Sequence, residues 1–171
     1  MKVIVPLTNE IKEEALYWTF MRNRTKRSEG VKDQRVDMNR GTLFIDYMGM
    51  LAEIAVAKNL NCKHLQNEDN ILGDEGFDLL YSDIKVQVKY TFHDSGHLLL
   101  GKPNSQADLT SDIYILTTGD EKAITIIGYI AKEAITSLMI QKDFGFGMTW
   151  CIEQAKLRKF SSFPRLKETT K

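Results

Sequence analysis

The spacing of apolar residues changes character along the chain, and each change marks an element. From Asn9 to Arg22, Ile11, Ala15 and Trp18 recur at helical spacing. Thr8 or Asn9 can cap this stretch, and Glu10, Glu13 and Glu14 suit a positive N-terminus, so the pattern predicts a first helix that packs through Trp18. The run RNRTKRSEGVKDQR has no apolar period and reads as a loop. DYMGMLAEIAVAKNLN, from Asp46, is apolar nearly all round and predicts a buried helix closed by Asn59 or Asn61. From Gly76 the period becomes two. GFDLLY and IKVQVKYTF are separated by Ser82 and Asp83, which suit a tight hairpin turn. Pairing Tyr81 with Ile84 sets Leu79 opposite Val86, Phe77 opposite Val88 and Asp78 opposite Gln87, with Lys89 further along the polar face. Further strands are predicted at residues 112 to 118 and 123 to 130, a helix over roughly Lys132 to Ile140, and a short strand at MTWCI.

This alternation implies one α/β domain over residues 1–171, with a central mixed sheet flanked by helices. Composition agrees: 171 residues, 43% hydrophobic and 27% charged, suffice for a core without staples. The two cysteines, Cys62 and Cys151, form no Cys-x-x-Cys pair and point to a reducing, cytoplasmic setting. The apolar run in MKVIVPLTNE is too short for a signal peptide, and nothing approaches the ~18 apolar residues of a membrane span.

Formal net charge is zero, but the charges are segregated. From Phe20 to Arg40, within an N-terminal helix and basic loop of about residues 9–40, Arg22, Arg24, Lys26, Arg27, Lys32, Arg35 and Arg40 outnumber Glu29, Asp33 and Asp37. A second basic region, about 156–171, carries Lys156, Arg158, Lys159, Arg165, Lys167 and Lys171. Residues 41 to 83 hold eight acids against Lys58 and Lys63. Solvated surfaces explain this, and so does a phosphate-binding rim around an acidic metal site.

Glu53 lies in the middle of the buried helix, where a carboxylate needs a partner. With Asp78 on one strand and Gln87-Val88-Lys89 on the next, the chain offers several hard oxygens and one lysine. Mg²⁺ takes such oxygens from Asp78, Glu53, the Gln87 amide and the Val88 carbonyl. Lys89 can then orient a water or stabilise phosphate charge. This order of helix Glu, strand Asp and strand Gln-x-Lys resembles the PD-(D/E)XK nuclease superfamily, the restriction-endonuclease-like fold. The likeness covers about residues 46 to 92, and Gly128-Tyr129-Ile130 after a strand is similar to small phage and prokaryotic members. The resemblance implies a Mg²⁺-dependent DNA endonuclease, with Mn²⁺ as a substitute, working as a homodimer on duplex or branched DNA. It could be structure-specific, in the manner of Holliday-junction resolvases, or restriction- or homing-like. It assigns catalysis to Glu53, Asp78, Gln87 and Lys89, and metal to Glu53, Asp78, Gln87 and Val88. DNA contacts fall to Arg22, Arg24, Lys26, Arg27 and Arg35. Two positions depart from the family: Phe77 stands where Pro is usual, and Gln87 replaces an acid, which removes one negative charge.

Two rivals remain: a non-catalytic DNA-binding or regulatory protein retaining the fold, and a structural domain in which Glu53 pairs with Lys89 and the hairpin's polar face is solvated. Other candidates read as structural. His93 and His97 flank a turn, Cys62-Lys63-His64 alternates like a partly buried strand, Gly145-Phe146-Gly147 lacks the context of a phosphate loop, and Asp108 and Asp112 flank a strand start.

Overall fold

The structure, a computed structural model, describes residues 2–28, 41–65, 76–101 and 109–164. It is an α/β fold built on a curled mixed sheet. The strands are β1 (Val3–Pro6), β2 (Lys63–His64), β3 (Leu79–Tyr81), β4 (Ile84–Tyr90), β6 (Ile113–Gly119), β7 (Ala123–Ala131) and β10 (Arg158–Lys159). Their order is β1-β7-β6-β4-β3-β2, with β10 also pairing with β7. Among the described residues only β4 and β6 run parallel; the other pairs in this sheet are antiparallel. β5 (Leu98–Gly101), β8 (Ile140–Asp143) and β9 (Met148–Ile152) form a separate antiparallel sheet in the order β5-β9-β8.

Helix α1 spans Asn9–Ser28 and helix α2 spans Thr42–Leu60. Both cover one face of the large sheet, where Ile11, Ala15, Leu51, Ile54, Val86, Val88, Ile115 and Ile126 belong to one buried cluster. At roughly 1.5–3 kcal/mol per fully buried aliphatic side chain, this face supplies most of the hydrophobic stabilisation. The opposite face carries Tyr114, Leu116, Ile127 and Ile130. They pack on Ile135 of α3 (Lys132–Leu138) and on Leu98 and Ile152 of the small sheet. The sheet was expected to be flanked by helices; on this face one short helix shares the work with strands.

Helix α1 continues to Ser28, so the predicted loop starting at Arg22 is a correction: Arg22, Arg24, Lys26 and Arg27 lie on helix. A polar run without apolar period still forms helix when its residue types favour it and the preceding turns are anchored. Here the Asn23 and Thr25 side chains donate back to the Thr19 and Met21 carbonyls, at 3.1 Å each. Arg35 and Asp108 lie outside the described residues. Helix α2 begins four residues before Asp46 and ends, as expected, with Asn61 in the left-handed conformation. The basic C-terminal segment is not wholly a solvated tail. β10 pairs with β7, while Phe160 and Phe163 enter the main core. That pairing accounts for Gly128, where a Cβ would stand 2.6 Å from the Arg158 carbonyl oxygen.

The hairpin register is as read from the sequence for Leu79–Val86, Leu80–Lys85 and Tyr81–Ile84, with Ser82 turning at φ 55°. Pairing stops there. Phe77 does not face Val88: it lies outside β3, with the Lys85 ammonium 4.9 Å from its ring centroid. The cause is upstream, at Gly76, whose φ of 72° favours glycine and whose carbonyl accepts from Thr110 Oγ1 (2.7 Å) and Ser111 Oγ (2.9 Å).

Candidate functional site

The end of β3 leaves a notch in the sheet beside β4, and Asp78 fills it. Its main chain is held on both sides: the Asp78 N–H donates to the Val86 carbonyl at 2.9 Å, and the Leu65 N–H donates to the Asp78 carbonyl at 3.3 Å. Its carboxylate replaces the missing strand partner. Oδ2 accepts from the Val88 N–H at 2.7 Å and from Gln87 Nε2 at 2.6 Å. Oδ1 takes no hydrogen bond from the described residues. Val86 and Val88 are buried toward α2, so alternation sends Gln87 and Lys89 to the other face of β4. Lys89 acts on Asp78 electrostatically and lowers its pKa.

Glu53 approaches the notch from α2. It is buried, as expected, and the carboxylate has two partners. Arg22 Nη1 and Nη2 lie 3.5 Å from Oε1 and 3.4 Å from Oε2, and His64 Nε2 lies 3.0 Å from Oε2. A carboxylate only accepts, so His64 Nε2 carries the hydrogen of that bond. Burial pushes the Glu53 pKa upward, but Arg22 and His64 outweigh it and hold the carboxyl below its ordinary value.

Asp78 behaves differently. Burial first, and then the negative charge of Glu53, raise its pKa from 3.8 to about 7, against the smaller opposing effects of Lys89, the Val88 N–H and Arg22. Two carboxylates thus share one partly dry site with too little positive charge for both. Such mismatched acids are the usual mark of a site prepared for chemistry or for a cation, although buried structural pairs show it too.

Asp78 is thus the common neighbour: it is hydrogen-bonded to Gln87 and lies in electrostatic range of Glu53 on the α2 side and of Lys89. Gln87 presents its amide N–H to Asp78, so here it serves as a donor that fixes the acid. Val88 contributes its N–H. Glu53 pairs with Arg22 and His64 and not with Lys89, the partner that the structural account of these residues named. Arg22, expected to contact DNA, is largely buried and lies against Glu53. The signal for this was present: Arg22 continues the Ile11–Ala15–Trp18 stripe by one further turn. His64 was expected to be a partly buried strand residue and no more. The strand is correct, but pairing of His64 with Leu79 turns it to the α2 face, where it meets Glu53.

Arg24 is exposed and lines a cleft of about 460 Å³ with Phe20, Asn23 and Leu43. The remaining candidates are structural. Asp112 Oδ2 accepts from the Lys85 N–H at 2.8 Å and closes the start of β6. Asp143 Oδ1 accepts from the N–H groups of Gly145 and Gly147, which makes that segment the β8–β9 turn. His97 lies 3.3 Å from the Lys142 ammonium. Among the described residues no three His, Cys, Asp or Glu side chains form a ready metal cluster, and no helix is long and apolar enough to cross a membrane.

No family model matches the sequence, and no curated protein matches it.

Proposed function

We propose that the protein is a Mg²⁺-dependent DNA endonuclease with a restriction-endonuclease-like core, Mn²⁺ substituting for Mg²⁺. The observation that carries this reading is the buried Asp78 carboxylate, fixed by Gln87 and the Val88 N–H and within electrostatic range of Glu53 and Lys89. The donors fit a hard divalent cation. Both are carboxylates, Asp78 keeps Oδ1 clear of hydrogen bonds from the described residues, and burial first and then the Glu53 charge raise its pKa, a cost that a bound cation would offset. Glu53 and Asp78 would hold the ion, with the Val88 carbonyl and the Gln87 oxygen as the further ligands that the family resemblance implies. A bound ion supplies charge neutralisation at the phosphate and a more acidic water.

The chain's own groups do the rest. Gln87 and the Val88 N–H fix the Asp78 carboxylate, which restricts where a phosphate can lie. Lys89, in electrostatic range of Asp78, donates hydrogen bonds that orient the attacking water or stabilise charge on a phosphate oxygen. The exposed Arg24, with Lys26 and Arg27 on the same helix end, supplies charge for the DNA backbone. A second copy would let both strands of a duplex be cut.

A non-catalytic DNA-binding role is the second reading, favoured by the pairing of Glu53 with Arg22 and His64 and by Gln87 in place of an acid. Purified protein incubated with linear and branched DNAs, with Mg²⁺ or with EDTA, separates the two. Metal-dependent cleavage supports the nuclease, whereas binding without cleavage supports the alternative. Neither activity would refute both.

A further inference from the structure

Arg22 is a buried cation that the chemistry above does not use. It lies among three acids: Glu53 in contact, with Asp78 and Asp46 in electrostatic range. Its contacts are loose. The 3.4 and 3.5 Å separations from Glu53 exceed the roughly 2.7–2.9 Å of a closed charge-assisted bond. Its Nε is buried with no acceptor among the described residues. A guanidinium built as a structural clamp closes on one carboxylate and uses Nε, whereas this one is shared by the field of several acids.

We propose that Arg22 is the resident counter-charge of the acidic site: it competes with a divalent cation for Glu53 and, on yielding Glu53, engages a substrate phosphate. The fork of a guanidinium matches phosphate as well as carboxylate, so the residue can exchange one for the other without losing its donors' satisfaction. The proposal rests on the metal-dependent nuclease reading.

Mn²⁺ binding, followed by electron paramagnetic resonance on the full chain, tests it. Arg22→Met should bind Mn²⁺ on the order of tenfold more tightly, because one competing charge a few ångströms away is gone. Arg22→Lys keeps the charge and should stay near the wild-type affinity. With Ca²⁺ in place of Mg²⁺, Arg22→Met should also bind duplex DNA more weakly, its slope of log affinity against log salt reduced by about 0.9 for one lost phosphate contact. Weaker or unchanged Mn²⁺ binding in Arg22→Met, or an unchanged salt slope, would overturn the proposal while leaving the nuclease reading intact. Absence of Mn²⁺ binding in the wild type and all variants would overturn both. Should Arg22→Met not fold, the Nε–H resonance of Arg22 in the wild type decides: it must shift with the midpoint of Mg²⁺ binding, and a signal unmoved at saturation would refute the exchange.

Discussion

On the helical side of the notch, Glu53 has a guanidinium and an imidazole beside it; on the strand side, Asp78 has two neutral donors and a lysine that acts through space. The pKa values move accordingly, Glu53 downward and Asp78 up to about 7. Burial disfavours both ions alike, so the difference lies in the partners. Glu53 is built into the fold, because its ionised form neutralises Arg22. Asp78 is held in place but left electrically unfinished, and that asymmetry suits a group whose partner arrives from outside.

The comparison breaks first in catalysis. Asp78→Asn keeps the side chain's shape and should abolish metal-dependent DNA cleavage, a loss on the order of 10³-fold or more, with the circular dichroism spectrum unchanged. In stability the two acids should differ in sign. Glu53→Gln strands the buried Arg22 charge and should cost about 3–5 kcal/mol in urea denaturation. Asp78→Asn at pH 8 without metal should not destabilise, because it removes the ion that folding disfavours. Losses of equal size from the two substitutions would contradict the asymmetry.

The pH profile sharpens the same point. Asp78 has a folded pKa above its unfolded value, so the stability it contributes is fully present below about 4 and is lost as pH rises through about 7. Glu53 has a lowered folded pKa, and its contribution is present above 4.5 and disappears only on acidification below that. Between pH 5 and 8 the metal-free wild type should therefore lose stability through Asp78, on the order of 1–3 kcal/mol in thermal denaturation, and Asp78→Asn should lose less. The smallest effect concerns the basic end of α1. Replacing Arg24, Lys26 and Arg27 together should flatten the salt dependence of DNA binding by roughly two to three units if all three touch phosphate, and should weaken all sequences alike. An unchanged slope would assign DNA contact to the basic C-terminal segment instead.

Much of this was legible in the sequence. Two-residue alternation in GFDLLY and IKVQVKYTF fixes the hairpin register, and the uniformly apolar helix around Glu53 announces its burial. Local pattern could not reveal β1, whose four residues pair with the edge of β7 far along the chain, or the strands β5 and β8. Those depend on partners more than on their own period. The site was half legible for the same reason. Asp78, Gln87 and Lys89 meet through a local hairpin, whereas Arg22 and His64 reach Glu53 across α1 and β2. In a basic run, charge alone does not distinguish a solvated residue from one turned inward; at Arg22 the helical spacing from Ile11, Ala15 and Trp18 is what marks the inward turn.

The central claim is that the Asp78 carboxyl is left without enough counter-charge to ionise at its ordinary pKa until a cation binds, and the most direct measurement is its own titration. The ¹³C resonance of the Asp78 carboxyl, assigned with Asp78→Asn, can be followed against pH in EDTA and in Mg²⁺. The account predicts a midpoint at about 7 in EDTA and a fall of more than about one unit in Mg²⁺, since a bound ion favours the carboxylate. A midpoint near the ordinary 3.8 in EDTA, or one that Mg²⁺ leaves in place, would contradict it.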